Sequence, residues 1–306
     1  MHRYNWQVWQ CRAKHFFLTL AAKIQAAPNG PALAAWWEAN HGPTGNIQLN
    51  RKWDAYPKGA WPSPELLRQL TNEVPGLTHV ATNPVWFALS DIQRGGNKAF
   101  WNSCVNALRI EGEPIGYFSQ RRMCDLCAQP NLASVGVFVL LLRGDAPQYH
   151  WHRCWVAKVF ICYLCIALLS DPLHKRACEI YECIDCLMKD GQFSEAPPEG
   201  WPVNTEAFLQ LLEGYALIGR RLHAIVGAGT READMLYLLW LVVGDKALLS
   251  HLCLQHETAN IPVSFLQAWQ RQCRRFANHS VQLLCSECAT HLLAPAEQRV
   301  WNRLLL

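Results

Sequence analysis

Four Cys-x-x-Cys pairs punctuate this chain: Cys124 with Cys127, Cys162 with Cys165, Cys183 with Cys186, and Cys285 with Cys288. Chance placement of 14 cysteines among 306 residues gives well under one such pair by simple counting, so the spacing asks for a physical cause. The start, Met1-His2-Arg3-Tyr4-Asn5-Trp6, is polar and aromatic, and the apolar stretch from Phe16 to Ala22 is short and closed by Lys23. That is a poor export signal. A reducing, cytoplasmic setting is therefore expected, in which cysteines are thiols or metal ligands before they are disulfides. Two thiolates at this spacing can both reach one tetrahedral zinc, and closed sites of four soft ligands stabilise a fold without activating water.

Three ligand sets compete, for one to three structural zinc ions. Cys162 and Cys165 are separated from Cys183 and Cys186 by 17 intervening residues, a spacing found in four-cysteine zinc modules. The first of these pairs falls in the apolar run Val159 to Leu169, where a cysteine also serves as a small hydrophobe. A second set starts at the Cys124-Cys127 knuckle and closes at His150-Trp151-His152-Arg153-Cys154, with His152 and Cys154 as ligands. It needs a hairpin between its halves and a strand that puts positions 150, 152 and 154 on one face; Cys162 or Cys165 can complete it instead. The third joins Cys253 and His256 to Cys285 and Cys288, with His291 as a competing ligand. Cys178, Cys183 and Cys186 have part of a plant-type ferredoxin spacing but lack its fourth cysteine.

With 51% apolar and 17% charged residues, the chain has ample surface to bury, and disorder is excluded as its main state. Val135 to Leu142 and Trp155 to Leu169 are the longest apolar runs; both fall short of the roughly 20 residues of a membrane helix, and Lys158 interrupts the second. No membrane partner is expected. The predicted class is mainly α: an N-terminal helical domain over 1–78, a cysteine-rich α+β zinc-binding region over 79–190, and a C-terminal helical bundle over 203–306. Helical spacing marks Tyr4 to Ala27, Pro31 to Asn40, Thr44 to Tyr56, and a helix opened by Ser63 and Pro64 that runs to Val74. A further helix is predicted from Asn97 to Ile110. Val135 to Leu142, β-branched and apolar, reads as a strand that turns at Arg143-Gly144-Asp145 and returns from Gln148. Helices follow over Trp155 to Ser170 and Leu173 to Lys189. Asp190 to Pro202, rich in Gly and Pro, reads as a linker, and four or five helices follow Asn204.

Net charge is +4, and residues 1–75 hold eight Lys or Arg against four Asp or Glu, which accounts for the whole excess. A local basic surplus is what phosphate attraction requires. On the helix from Thr44 to Tyr56, Leu49, Trp53 and Tyr56 fall on one side, leaving Gln48, Arg51, Lys52 and Ala55 on the other. Gln and Arg can read base edges. Asn46 and Asn50 flank that face, and Lys58 follows in the loop, placed to meet phosphate.

The run Trp53-Asp54-Ala55-Tyr56-Pro57-Lys58-Gly59-Ala60-Trp61-Pro62-Ser63-Pro64, followed by Leu66, Leu67 and Leu70, resembles the lambda-repressor and Cro-like helix-turn-helix family. There an aromatic residue ends the recognition helix, a Gly follows three residues later, and a Pro-Ser pair opens the next helix. The likeness covers residues 32–74 and departs from the family's pattern at Pro57 and Gly45. It implies a DNA partner read by the helix from Thr44 to Tyr56, with a dimer needed for specific readout. The bland alternative is a helical subdomain with Trp53, Tyr56 and Trp61 as core aromatics.

No His-Glu-x-x-His, Gly-x-Ser-x-Gly, phosphate-loop or dinucleotide-loop motif is present. The expected function is that of a zinc-stabilised DNA-binding protein, a transcriptional regulator or mobile-element or defence-associated factor, rather than an enzyme. The competing expectation is a non-catalytic adaptor subunit of a nucleoprotein or multiprotein complex, using its 14 Trp for contact.

Overall fold

The computed structural model describes residues 3–42, 52–90, 98–194, 198–227, 229–254, 261–277 and 281–283. The chain is mainly helical, and its described residues divide into two compact units, the first over residues 3–90 and the second over 98–283.

Three helices of the first unit start at side-chain caps. The long α1 (Arg3–Lys23) comes first. Helix α2 (Gly30–His41) starts where the Asn29 side chain accepts the Ala32 N–H at 2.9 Å, with Pro31 in the first turn, and it ends at Gly42, whose φ of +81° suits glycine. Residues 52–55 are helical (α3). Helix α4 (Pro64–Glu73) is capped by Ser63, which accepts from the Leu66 N–H at 3.3 Å. Short helices α5 (Leu77–Ala81) and α6 (Pro84–Leu89) follow, the latter capped by Asn83.

Phe16, Phe17 and Leu20 of α1 meet Leu33 and Trp37 of α2, Trp53, Tyr56, and Leu67 and Leu70 of α4 in a single core. Phe17 stacks on Tyr56 with ring centroids 4.5 Å apart. Beside this core, Arg12 has no solvent exposure. Its Nε and Nη2 donate to the Ala81 carbonyl at 3.0 and 2.5 Å, and its guanidinium lies 4.1 Å from the Trp61 ring centre. Burial lowers its pKa to about 9, and the carbonyl and indole faces replace part of its lost hydration.

The second unit opens with α7 (Lys98–Asn106) and a three-stranded antiparallel sheet of order β2-β1-β3: β1 (Leu108–Ile110), β2 (Glu113–Pro114) and β3 (Val281–Leu283). Arg109 pairs with Pro114, and Leu108 with Leu283. The two residues between β1 and β2, Glu111 and Gly112, both have positive φ, at 54° and 82°, the geometry of a tight hairpin turn. The helix expected to reach Ile110 therefore stops at Asn106.

Helix α8 (Gln120–Leu126) leads to α9 (Leu132–Arg143). Here the structure corrects the strand and hairpin expected from Val135 onward. Eleven of the twelve α9 residues are buried, so the segment is apolar on every side and loses the helical periodicity that would have distinguished it from a strand. Asn131 caps it, accepting from the Ser134 N–H at 3.0 Å. The Gly144-Asp145 turn is held by Asn102 Oδ1, which accepts both the Asp145 and Ala146 N–H at 2.9 Å. Through a 3₁₀ turn (Pro147–Tyr149) the chain then enters α10 (His150–Ala167), which packs on α9. The turn joins two helices.

A 3₁₀ turn at Leu173–Arg176 leads into α11 (Ala177–Lys189). The described parts of the expected linker, residues 190–194 and 198–202, are instead fastened to the second unit as a strap. Ser194 N–H donates to the Leu142 carbonyl at 2.8 Å and Glu199 N–H to the Ala157 carbonyl at 2.9 Å. Trp201 stacks against both Phe160 and Tyr181, and its Nε1 donates to Asp185 at 3.1 Å. Gly and Pro shape this segment without freeing it. Helices α12 (Thr205–Val226), α13 (Glu232–Gly244), α14 (Lys246–Leu254) and α15 (Val263–Arg275) complete the helical part, around a core that includes Leu222, Leu238, Leu239, Val242 and Trp269. No helix among the described residues is long and apolar enough to cross a membrane.

Candidate nucleic-acid face and cysteine groups

Of the expected DNA-contacting residues, Asn46, Gln48, Asn50 and Arg51 lie outside the described residues, as does most of the helix expected from Thr44. Its last turn is described, and it is strongly two-sided. Trp53 and Tyr56 are 2% and 6% exposed; Lys52, Asp54 and Lys58 are exposed and Ala55 is intermediate. Trp53 reaches Trp37 and Phe17, with centroid separations of 5.7 and 6.5 Å, so the apolar side is locked to both α2 and α1.

The turn ends as its residues dictate. Ala60 N–H returns to the Ala55 carbonyl at 3.1 Å and Gly59 N–H to that of Tyr56 at 2.9 Å, with Gly59 at φ +105°. A side chain there would meet both backbone strain and the Gln10 side chain at 3.0 Å. At the other side of the turn, a Cβ on Gly30 would come within 2.7 Å of the Asp54 backbone nitrogen. Close approach of α2 to α3 thus depends on Gly30. The exposed side carries the ammonium groups of Lys52 and Lys58 with one carboxylate, Asp54, between them, an arrangement that can meet phosphate but has little charge of its own.

Three of the four cysteine pairs lie within the described residues, each with its own helix: Cys124 and Cys127 at the end of α8, Cys162 and Cys165 on α10, and Cys183 and Cys186 on α11. Among the described residues, no three His, Cys, Asp or Glu side chains are grouped so as to hold a metal ion. Cys124 is exposed and Cys127 buried at the end of α8. Burial raises the Cys127 thiol well above its usual pKa, with added contributions from Cys124 and Cys162; these three thiols are therefore electrostatic neighbours. Cys162 is raised to about 11 by burial, partly offset by its hydrogen bond with Tyr215, and Cys165 is raised further by burial and by Cys162. On α11, Cys183 is raised by burial, then by Cys186, Glu179 and Glu182, and Cys186 by burial, then by Asp185 and Asp190. The four-cysteine set drawn from Cys162, Cys165, Cys183 and Cys186 is not assembled.

The second ligand set requires a strand at residues 150–154, and helix α10 overturns that geometry. Two residues apart on a helix, His152 and Cys154 point about 200° apart in rotation. His152 is 1% exposed, lies between the Phe118 and Tyr149 rings at 5.3 and 5.5 Å, and has its pKa lowered by burial and by Arg153. Cys154 is half-buried, with its Sγ 3.5 Å from His150 Nε2. The third set lies outside the described side chains: of Cys253 only the backbone, in α14, is described, and His256, Cys285 and Cys288 fall among the undescribed residues.

Composition singled out tryptophan as a contact residue without saying which ones. Trp151 on α10 is 66% exposed and Tyr117, in the loop before α8, is 90% exposed. Trp86, Trp101 and Trp53, by contrast, are almost fully buried. No protein family, curated protein or solved structure matches the chain.

Proposed function

We propose that this chain is a nucleic-acid-binding protein whose first unit contacts DNA through the segment 44–58. The observation that carries this reading is the division of residues 52–58: Trp53 and Tyr56 are buried in the core while Lys52 and Lys58 face solvent. A short helix and turn anchored by aromatics on one side, with Lys52 and Lys58 outnumbering Asp54 on the other, suit a segment laid against a phosphate backbone. Asn46, Gln48, Asn50 and Arg51 extend that basic and amide-bearing side in sequence and carry any base reading; Lys52 and Lys58 supply phosphate contacts. Specific readout through one such helix calls for a dimer on a two-fold site, and a regulator or a mobile-element or defence factor is the biological setting that fits. An Arg51→Ala, Lys52→Ala double variant that keeps its fold is expected to lose most duplex binding in a mobility-shift assay. Unchanged binding would remove the segment from the interface.

Zinc belongs to this reading as a structural ion. Its support is the excess of Cys-x-x-Cys pairs, and the sets open to it include Cys124 and Cys127 and the set of Cys253, His256, Cys285 and Cys288. Elemental analysis of purified protein is expected to find bound zinc; a metal-free, fully folded protein would return every pair to the role of buried hydrophobes.

A second reading is favoured by Trp151 and Tyr117, whose exposure is unusual for large aromatics. In it the second unit docks onto a partner protein, and the chain is an adaptor in a nucleoprotein complex. Trp151→Ala and Tyr117→Ala leave DNA binding intact under the first reading and abolish partner association under the second.

A further inference from the structure

His41, the last residue of α2, has an acceptor at each ring nitrogen. Nδ1 lies 3.0 Å from the Trp37 carbonyl and Nε2 lies 2.7 Å from Glu73 Oε1 at the end of α4. A neutral imidazole has one N–H and one lone-pair nitrogen, so it satisfies only one of these acceptors; the imidazolium satisfies both. Two further features favour the charged ring. It stacks on Trp37 with centroids 3.7 Å apart and planes 10° from parallel, and it sits at a helix C-terminus, where a cation is favoured.

The contact lines a groove of about 540 Å³ between the ends of α1, α2 and α4. Its charged members besides His41 are Lys23, from α1, and Glu73, from α4, with Trp36 and Asn40 on the α2 side. Partial burial alone would depress the imidazole pKa, but the Glu73 hydrogen bond, the Trp37 carbonyl and the Glu73 charge outweigh it, and the net direction is upward. Immediately beyond His41, Gly42 ends α2 and the chain enters the segment that carries Asn46, Gln48, Asn50 and Arg51.

We propose that the His41–Glu73 contact is a proton-operated latch: the imidazolium ties the end of α2 to the end of α4 and fixes where the DNA-contacting segment leaves α2. Its consequence for DNA rests on the function proposed above, whereas the latch itself does not. A group whose pKa is raised in the folded state contributes stability fully below its unfolded value and loses it as pH rises through the folded one. The latch is therefore closed in mildly acidic solution and opens above the ordinary imidazole value of about 6.5. Duplex binding tightens when it closes.

The test is a side-chain NMR titration of the full-length protein, with the His41 signal assigned by its absence in His41→Gln, followed by duplex affinity at constant salt across the same pH range. His41 is expected to titrate above the ordinary imidazole range, and to fall back in Glu73→Gln. Affinity is expected to weaken several-fold along the same curve in the wild type, and to lose that pH step in Glu73→Gln and His41→Gln. An unraised His41, or one indifferent to Glu73→Gln, overturns the latch. A raised His41 with pH-independent affinity overturns its coupling to DNA. Absence of duplex binding at every pH overturns the proposed function, while the imidazole titration still decides the latch.

Discussion

Each unit buries an arginine with no solvent exposure and lays it on tryptophan, but the two are supported differently. Arg12 lies over Trp61 and Trp9 and meets the main chain of α5 through the Ala81 carbonyl. Arg143, at the end of α9, lies 3.5 Å over the Trp101 ring and donates to the Gln192 side chain at 2.8 Å, while Lys98 binds the Arg143 carbonyl, the Gln192 carbonyl and Ser194 around it. In the first unit the buried cation joins α1 to the backbone of a short helix. In the second it fastens a strap whose other polar groups have a second cation at hand. A buried guanidinium is costly to leave unpaired, so the consequence of removing it depends on what remains for its partners.

That difference sets the order of expected effects. Arg12→Ala should be the most damaging, at about 4 kcal/mol, because it opens a cavity between two indoles and leaves the Ala81 carbonyl short of donors. Denaturant unfolding, with amide exchange to localise the loss to α1 and α5, measures it. Arg143→Ala should cost less, about 3 kcal/mol, since Lys98 still holds the strap through the Gln192 carbonyl and Ser194; an equal or larger loss would break the comparison. Trp201→Ala, which removes the strap's aromatic anchor between Phe160 and Tyr181, should cost about 2 kcal/mol and raise exchange in α10 and α11 only. Ser63→Ala removes the α4 cap and should cost about 1 kcal/mol, confined to the first unit.

The two units also differ in how openly their sequences declare them. Asn29 with Pro31 and Ser63 with Pro64 are signals that act over three or four residues, and both helices begin where these residues place them. The inward side of residues 53–56 was equally plain from spacing. Helix α9 was not, because burial on all sides removes the polar stripe on which periodicity depends; its Asn131 cap was the signal that distinguishes it from a strand. A strand over residues 150–154 would place His152 and Cys154 on one face, and the helix turns them apart. Cysteine spacing is a local quantity and cannot show which pairs converge. The Asp190–Pro202 segment misled for another reason: its Gly and Pro content is that of a linker, while Trp201 and the backbone bonds of Ser194 and Glu199 depend on distant residues.

The central claim, a basic face on the first unit that meets DNA, is tested most directly by the salt dependence of duplex binding in the wild type and in a Lys52→Glu, Lys58→Glu variant. The plot of log affinity against log salt is expected to slope downward, with a shallower slope and weaker binding in the variant, because each lost phosphate contact removes about one released counterion. Identical slopes and affinities in the two proteins, with both folded, would contradict it.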